Sequence, residues 1–107
     1  MERVLHAISQ PRRMRILSLL RDRELAAGEI AQHFDVTRPA VSQHLRVLME
    51  AGLLGERRVG TKRLYSIRLE SLAEFRDFID GFWETQLDNL KQTVEHDQRK
   101  ERILEQQ

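Results

Sequence analysis

The chain has 107 residues, 18 Lys and Arg against 17 Asp and Glu, and no cysteine. That length fits one small domain whose core leaves little stability to spare, so oligomerisation is expected, and disulfides and thiolate metal sites are excluded. MERVLHAISQ shows no basic start leading into an apolar run, and no stretch nears the length of a membrane span, so a cytoplasmic location is expected.

The first helix is expected over about residues 2–8, with Val4, Leu5 and Ile8 on one side. Ser9 and Gln10 break it, and Pro11 opens a second helix where its missing N–H costs nothing. That helix runs to about residue 21 and presents Met14, Leu17 and Leu20, flanked by Ile16 and Leu19, for burial. A third helix, about residues 26–34, buries Ile30 and Phe34. Asp35, Val36 and Thr37 then make a tight turn into a fourth helix.

The fourth helix, in TRPAVSQHLRVLMEAGLL, is the most informative segment. Thr37 caps it, Arg38 and Pro39 fill its opening turn, and Gly52 ends it before Leu53 and Leu54 enter a strand. Val41, Leu45 and Leu48 form an apolar stripe, whereas Pro39, Gln43, Arg46 and Val47 project from the opposite side. An amide, a guanidinium and small apolar groups on one exposed face are the mixture that reads base edges in a major groove.

From Leu53 to Ile67 the helical period stops. GERRVGTKRLYSI reads as a hairpin turning at Gly60 and Thr61, a type II′ turn that pairs Val59 with Lys62 and Arg58 with Arg63. Arg57, Arg58, Lys62 and Arg63 crowd its tip, where an ordinary hairpin would alternate charge sign; a phosphate or minor-groove role follows. Residues 1–68 carry 13 basic and 7 acidic groups, net +6, whereas residues 69–107 carry 5 and 10, net −5. The first part is the polyanion binder.

Ser71 and Glu74 form a capping box for a last long helix, about residues 71–96. Leu72, Phe75, Ile79 and Phe82 make one stripe, continued on a neighbouring face by Trp83, Leu87, Leu90 and Val94. This is more apolar surface than a small domain can cover. A homodimer interface is expected, made by Phe75, Ile79, Phe82, Trp83, Leu87, Leu90 and Val94 together with Val4, Leu5 and Ile8 of the first helix. The charged tail, residues 99–107, follows a domain of residues 1–98.

The element order, ααααββα, is mainly α with a small β-hairpin, and it resembles the winged helix-turn-helix of the ArsR family of transcription regulators. LHAISQPRRMRILSLL is similar to that family's opening segment, PAVSQHLRVLMEAGLL to its recognition helix and RRVGTKRLYSI to its wing. FWETQLDNLK resembles the metal-independent branch. The resemblance implies a dimeric repressor of an inverted-repeat operator in double-stranded DNA. Many relatives bind soft metals through the cysteines of an ELCVCDL-like motif; here ELAAGEI puts Ala26 and Gly28 at those positions. The family's second site, in the last helix, finds only Asp80, Asp88, His96 and Asp97, with one imidazole and no D-x-H pair. No metal and no cofactor are expected.

On this reading Gln43 and Arg46 read bases, while Thr37, Arg38, Ser42 and His44 flank them for phosphates. His44 also has a helix-packing reading, His6 and His33 read as polar surface, and His96 as a cation at a helix end. No phosphate loop or nucleophile motif points to an enzyme. Two alternatives stay open: a small-molecule pocket lined by Phe75, Phe78, Phe82 and Trp83, and a winged helix that binds protein rather than DNA.

Overall fold

A computed structural model describes the backbone of residues 1–105 and the side chains of residues 1–96. The side chains of the tail expected at 99–107 lie outside the described residues. The elements are α1 (Glu2–Ile8), α2 (Pro11–Leu19), β1 (Leu25–Ala26), α3 (Ala27–Ala31), α4 (Arg38–Glu50), β2 (Leu54–Val59), β3 (Lys62–Ile67) and α5 (Leu69–Glu105). Two compact units divide the chain, Met1–Phe75 and Arg76–Gln107, and each is described by itself.

In the first unit, α2, α3 and α4 close around Ile16, Leu20, Ile30, Val41, Leu45 and Leu48, all essentially inaccessible to water. Val4, Ile8, Phe34 and Leu72 pack against this cluster while staying partly exposed. The buried face of α2 differs from the expected one. Ile16, Leu17 and Leu20 turn inward as expected, but Met14 is 45% exposed and Arg13, only 8% exposed, takes its place in the inward row. A guanidinium tolerates this position because it finds acceptors there. Its Nε donates to the Ala7 carbonyl at 2.6 Å and its Nη2 to the His6 carbonyl at 3.1 Å, which also accepts from Ser9, both at the end of α1.

Gln10 caps α2, its side-chain oxygen accepting from the backbone N–H groups of Arg12 and Arg13. α3 is shorter than expected, because residues 32–36 turn away before α4 begins. Its entry is held by Glu29, whose carboxylate accepts from the Ala26 N–H at 3.1 Å. α4 ends in a Schellman motif: the Leu53 N–H donates to the Leu48 carbonyl and the Gly52 N–H to the Met49 carbonyl. Gly52 sits at φ 79°, the left-handed conformation that this closure needs and that glycine adopts without strain.

The sheet has three antiparallel strands in the order β1-β3-β2, one more than the expected hairpin. β1 pairs Leu25 with Tyr65 and Ala26 with Leu64, in residues assigned from sequence to the approach and start of the third helix. The hairpin register is as expected, with Arg58 opposite Arg63 and Val59 opposite Lys62. Gly60 has φ 62° and no non-glycine residue among those described has positive φ, so Thr61 lies on the negative side, as a type II′ turn requires.

α5 starts at Leu69, two residues before the expected capping box. Ser71 is not its cap. The Ser71 hydroxyl instead donates to the Gly52 carbonyl at 2.5 Å, tying the start of α5 to the end of α4. The helix also continues past His96, which is therefore exposed within the helix rather than at its end. In the second unit Phe82 and Trp83 meet edge to face, ring centres 5.8 Å apart. Phe78, Phe82, Trp83, Leu87, Leu90 and Val94 are all exposed.

Candidate nucleic-acid interface

The Thr37 hydroxyl accepts from the Ala40 N–H at 3.3 Å, and with Arg38 and Pro39 in the first turn it fixes where α4 starts. Phase follows from the start. Val41, Leu45 and Leu48 turn into the core, and Thr37, Arg38, Pro39, Ser42, Gln43 and Arg46 all stand exposed. Val47 departs from the expected outward set, being half-buried against the core. The outward row is thus cationic and amide-bearing, with short side chains between that let a helix approach base edges closely.

His44 points elsewhere. It is half-buried, and its Nδ1 lies 3.4 Å from Nη1 of Arg13. Burial lowers its pKa below the usual histidine value, and the charges of Arg13 and Arg12 lower it further. A neutral ring facing a buried guanidinium supports the packing role more than a phosphate contact. Arg13 thereby touches the end of α1 and the middle of α4 at once, a link that no periodicity in the sequence announced.

In the wing, Arg58, Lys62 and Arg63 are exposed, with Arg58 and Arg63 directly opposed across the strands. Like charges in that position repel, and a bound anion relieves the repulsion. Arg57 is engaged differently: its Nε and Nη2 donate to the two carboxylate oxygens of Glu24 at 2.6 and 2.8 Å. This fork holds the Glu24 carboxyl below its ordinary pKa. Nothing about Glu24 in the sequence marked it as a partner, because 33 residues separate the two.

α4 and the wing share a cleft of about 560 Å³ lined by Arg38, Ser42, Lys62, Arg63, Tyr65 and Gln32, among others. Three of the expected cations therefore share one concavity with the recognition helix. Gly28 also lines it, and a Cβ there would sit 3.9 Å from the guanidinium carbon of Arg38. Ala26, the other position at which relatives of the resemblance carry a thiolate, is paired in β1. A methyl group and a hydrogen offer no metal ligand. Among the described residues no helix is long and apolar enough to cross a membrane.

Comparison with known proteins matches the same segment. The profile of the bacterial regulatory protein, arsR family, covers residues 10–55, from the cap of α2 to the start of β2. An HTH-type transcriptional regulator of Mycobacterium tuberculosis is 38% identical over 94 residues, 88% of each chain. The transcriptional repressor SdpR of Bacillus subtilis is 38% identical over 82 residues, 77% of this chain and 91% of that protein. The crystal structure of a possible transcriptional regulator for arsenical resistance superposes with a TM-score of 0.68 at 42% identity, over 74% of this chain and 82% of that one. The chain therefore belongs to the ArsR family, as a winged-helix, DNA-binding transcription regulator and not an enzyme.

Proposed function

We propose that the protein is a homodimeric repressor that recognises an imperfect inverted repeat without a metal cofactor. The observation that carries this is the outward face of α4, with Gln43 and Arg46 exposed beside a wing in which Arg58 and Arg63 oppose each other and form no ion pair among the described residues. Gln43 suits adenine through its amide and Arg46 suits guanine through its guanidinium; Thr37, Arg38, Pro39 and Ser42 border them, and Arg58, Lys62 and Arg63 take phosphates. Similarity to a protein named as a transcriptional repressor supports repression over activation.

The apolar row Phe78, Phe82, Trp83, Leu87, Leu90 and Val94 supports dimerisation. Trp83, Leu87 and Leu90 are more than half exposed, and burying each is worth about 1.5 to 3 kcal/mol. A second copy of α5 offers the matching row. Two recognition helices related by a dyad would then enter successive major grooves about 34 Å apart. Alanine and glycine at positions 26 and 28 support metal independence.

Selection of bound genomic fragments with the purified protein, followed by footprinting, tests the reading. The expected result is a protected inverted repeat in a promoter, bound by two protomers and unaffected by zinc or arsenite. A protected site without dyad symmetry, or release from DNA at micromolar metal, would overturn it.

A further inference from the structure

Arg57 stands on the wing but does not face outward as a free cation. Its row across the sheet is Arg57 on β2, Leu64 on β3 and Ala26 on β1. The guanidinium crosses the middle strand, roughly 10 Å from edge to edge at normal strand spacing, and closes on Glu24 just before β1. β1 is anchored in turn by the buried Leu25, and α3 follows it directly with the fully buried Ile30. The fork thus joins the outer strand of the wing to the segment that enters the helix-turn-helix.

We propose that Glu24 is a positioning residue for DNA binding: it holds Arg57 across the sheet and so sets the tilt at which Arg58, Lys62 and Arg63 meet the DNA backbone. Arg57 itself makes no phosphate contact. A phosphate that took Arg57 would replace one bidentate anion with another and strand a carboxylate beside the duplex, so the exchange brings no gain in charge pairing. Arg58, Lys62 and Arg63 carry no such debt, since no ion pair involves them among the described residues. The pair adds little to stability, since the Arg57 side chain is 62% and that of Glu24 33% exposed to screening water; its effect lies in orientation. This inference rests on the wing meeting phosphates, as proposed above.

Duplex affinity across a series of salt concentrations separates the roles, because each neutralised phosphate contributes about 0.9 to the slope of log affinity against log salt. Arg58→Ala is expected to lower the slope by about that amount. Arg57→Ala, Glu24→Ala and the double variant should each weaken binding by about threefold, with equal losses and the wild-type slope. Carboxyl titration by NMR in the free protein should find the Glu24 pKa below the ordinary carboxylate value in the wild type and restored in Arg57→Ala. A fall in slope for Arg57→Ala, tighter binding by Glu24→Ala, or additive losses in the double variant would overturn the proposal. An unchanged slope in Arg58→Ala would instead remove the phosphate role of the wing on which it rests, and the NMR titration would still decide whether the fork exists.

Discussion

Replacing Arg13 with Met tests whether a buried cation holds the helical layer together. Methionine keeps an unbranched stem for packing but loses the donors to the Ala7 and His6 carbonyls. A hydrogen bond from a charged donor contributes about 1.5 to 3 kcal/mol, and water can reach part of the exposed α1 to replace some of that, so the expected loss is about 3 kcal/mol. Against a domain stability of roughly 5 to 15 kcal/mol this lowers the folded-to-unfolded ratio about a hundredfold. Urea unfolding at fixed protomer concentration should show the midpoint falling by about 1 to 3 M at unchanged slope. Hydrogen exchange should show α1 opening before the rest. Arg13→Lys should fall between, because one ammonium cannot reproduce the planar fork. A midpoint shift under about 0.3 M, with α1 still protected, would refute the assignment of Arg13 as the strut between α1 and α4.

Gln43→Ala should cost about 1 to 3 kcal/mol on the operator and little on random duplex, whereas Arg63→Ala should weaken both and flatten the salt dependence; equal losses for Gln43→Ala would remove it as a base reader. The depressed pKa of His44 means that the unfolded chain binds its proton first as pH falls. Its contribution is therefore present above the ordinary histidine pKa and lost on acidification from there down through the folded value; urea midpoints against pH should show this slope, and His44→Gln should abolish it. Leu87→Asp combined with Leu90→Asp should give a monomer by sedimentation, with Trp83 emission reporting the lost contact. Gly52→Ala forces φ near 79° on a residue with a Cβ and should cost about 1 to 2 kcal/mol, read by thermal unfolding, even though the nearest atom lies 3.8 Å from the added carbon.

What the sequence made legible was what repeats. Val41, Leu45 and Leu48 set the phase of α4, and Gly60 set the turn of the wing, because periodic burial and positive φ leave marks on residue type. In α2 periodicity finds Ile16, Leu17 and Leu20 but puts Met14 inward in place of Arg13, because it counts an arginine as outward. Burial there depends on two carbonyls that only the folded chain brings within reach. β1 was missed since two residues hold no alternation, and its pairing with β3 is a tertiary fact. Ser71 carried the right chemistry for a cap, but its hydroxyl meets the Gly52 carbonyl instead. The exposed cations of the site were legible from composition; the capture of Arg57 by Glu24 was not, because opposite charges far apart in sequence carry no register.

In the proposed dimer the exposed row on α5 would bear on DNA affinity although no residue in it belongs to the proposed DNA-facing set. A single winged helix has only its own contacts, and their sequence-independent part alone gives a Kd of about 10⁻⁴ to 10⁻⁶ M at physiological salt. Joining two copies makes the second half-site an intramolecular event, worth a further factor of roughly 10² to 10⁴ when the spacing fits the groove repeat. From Phe78 to Val94 the apolar row spans about 24 Å at 1.5 Å per residue, long enough for several large side chains to bury together. In the proposed dimer their burial would fix the separation between recognition helices, so its loss should exceed that of one base-reading amide, about 5- to 150-fold for 1 to 3 kcal/mol. Leu87 and Leu90 are thus expected to outweigh Gln43 in operator affinity while leaving binding to random duplex largely intact. Equal or smaller losses than in Gln43→Ala would place the spacing of the two half-sites in some other part of the molecule.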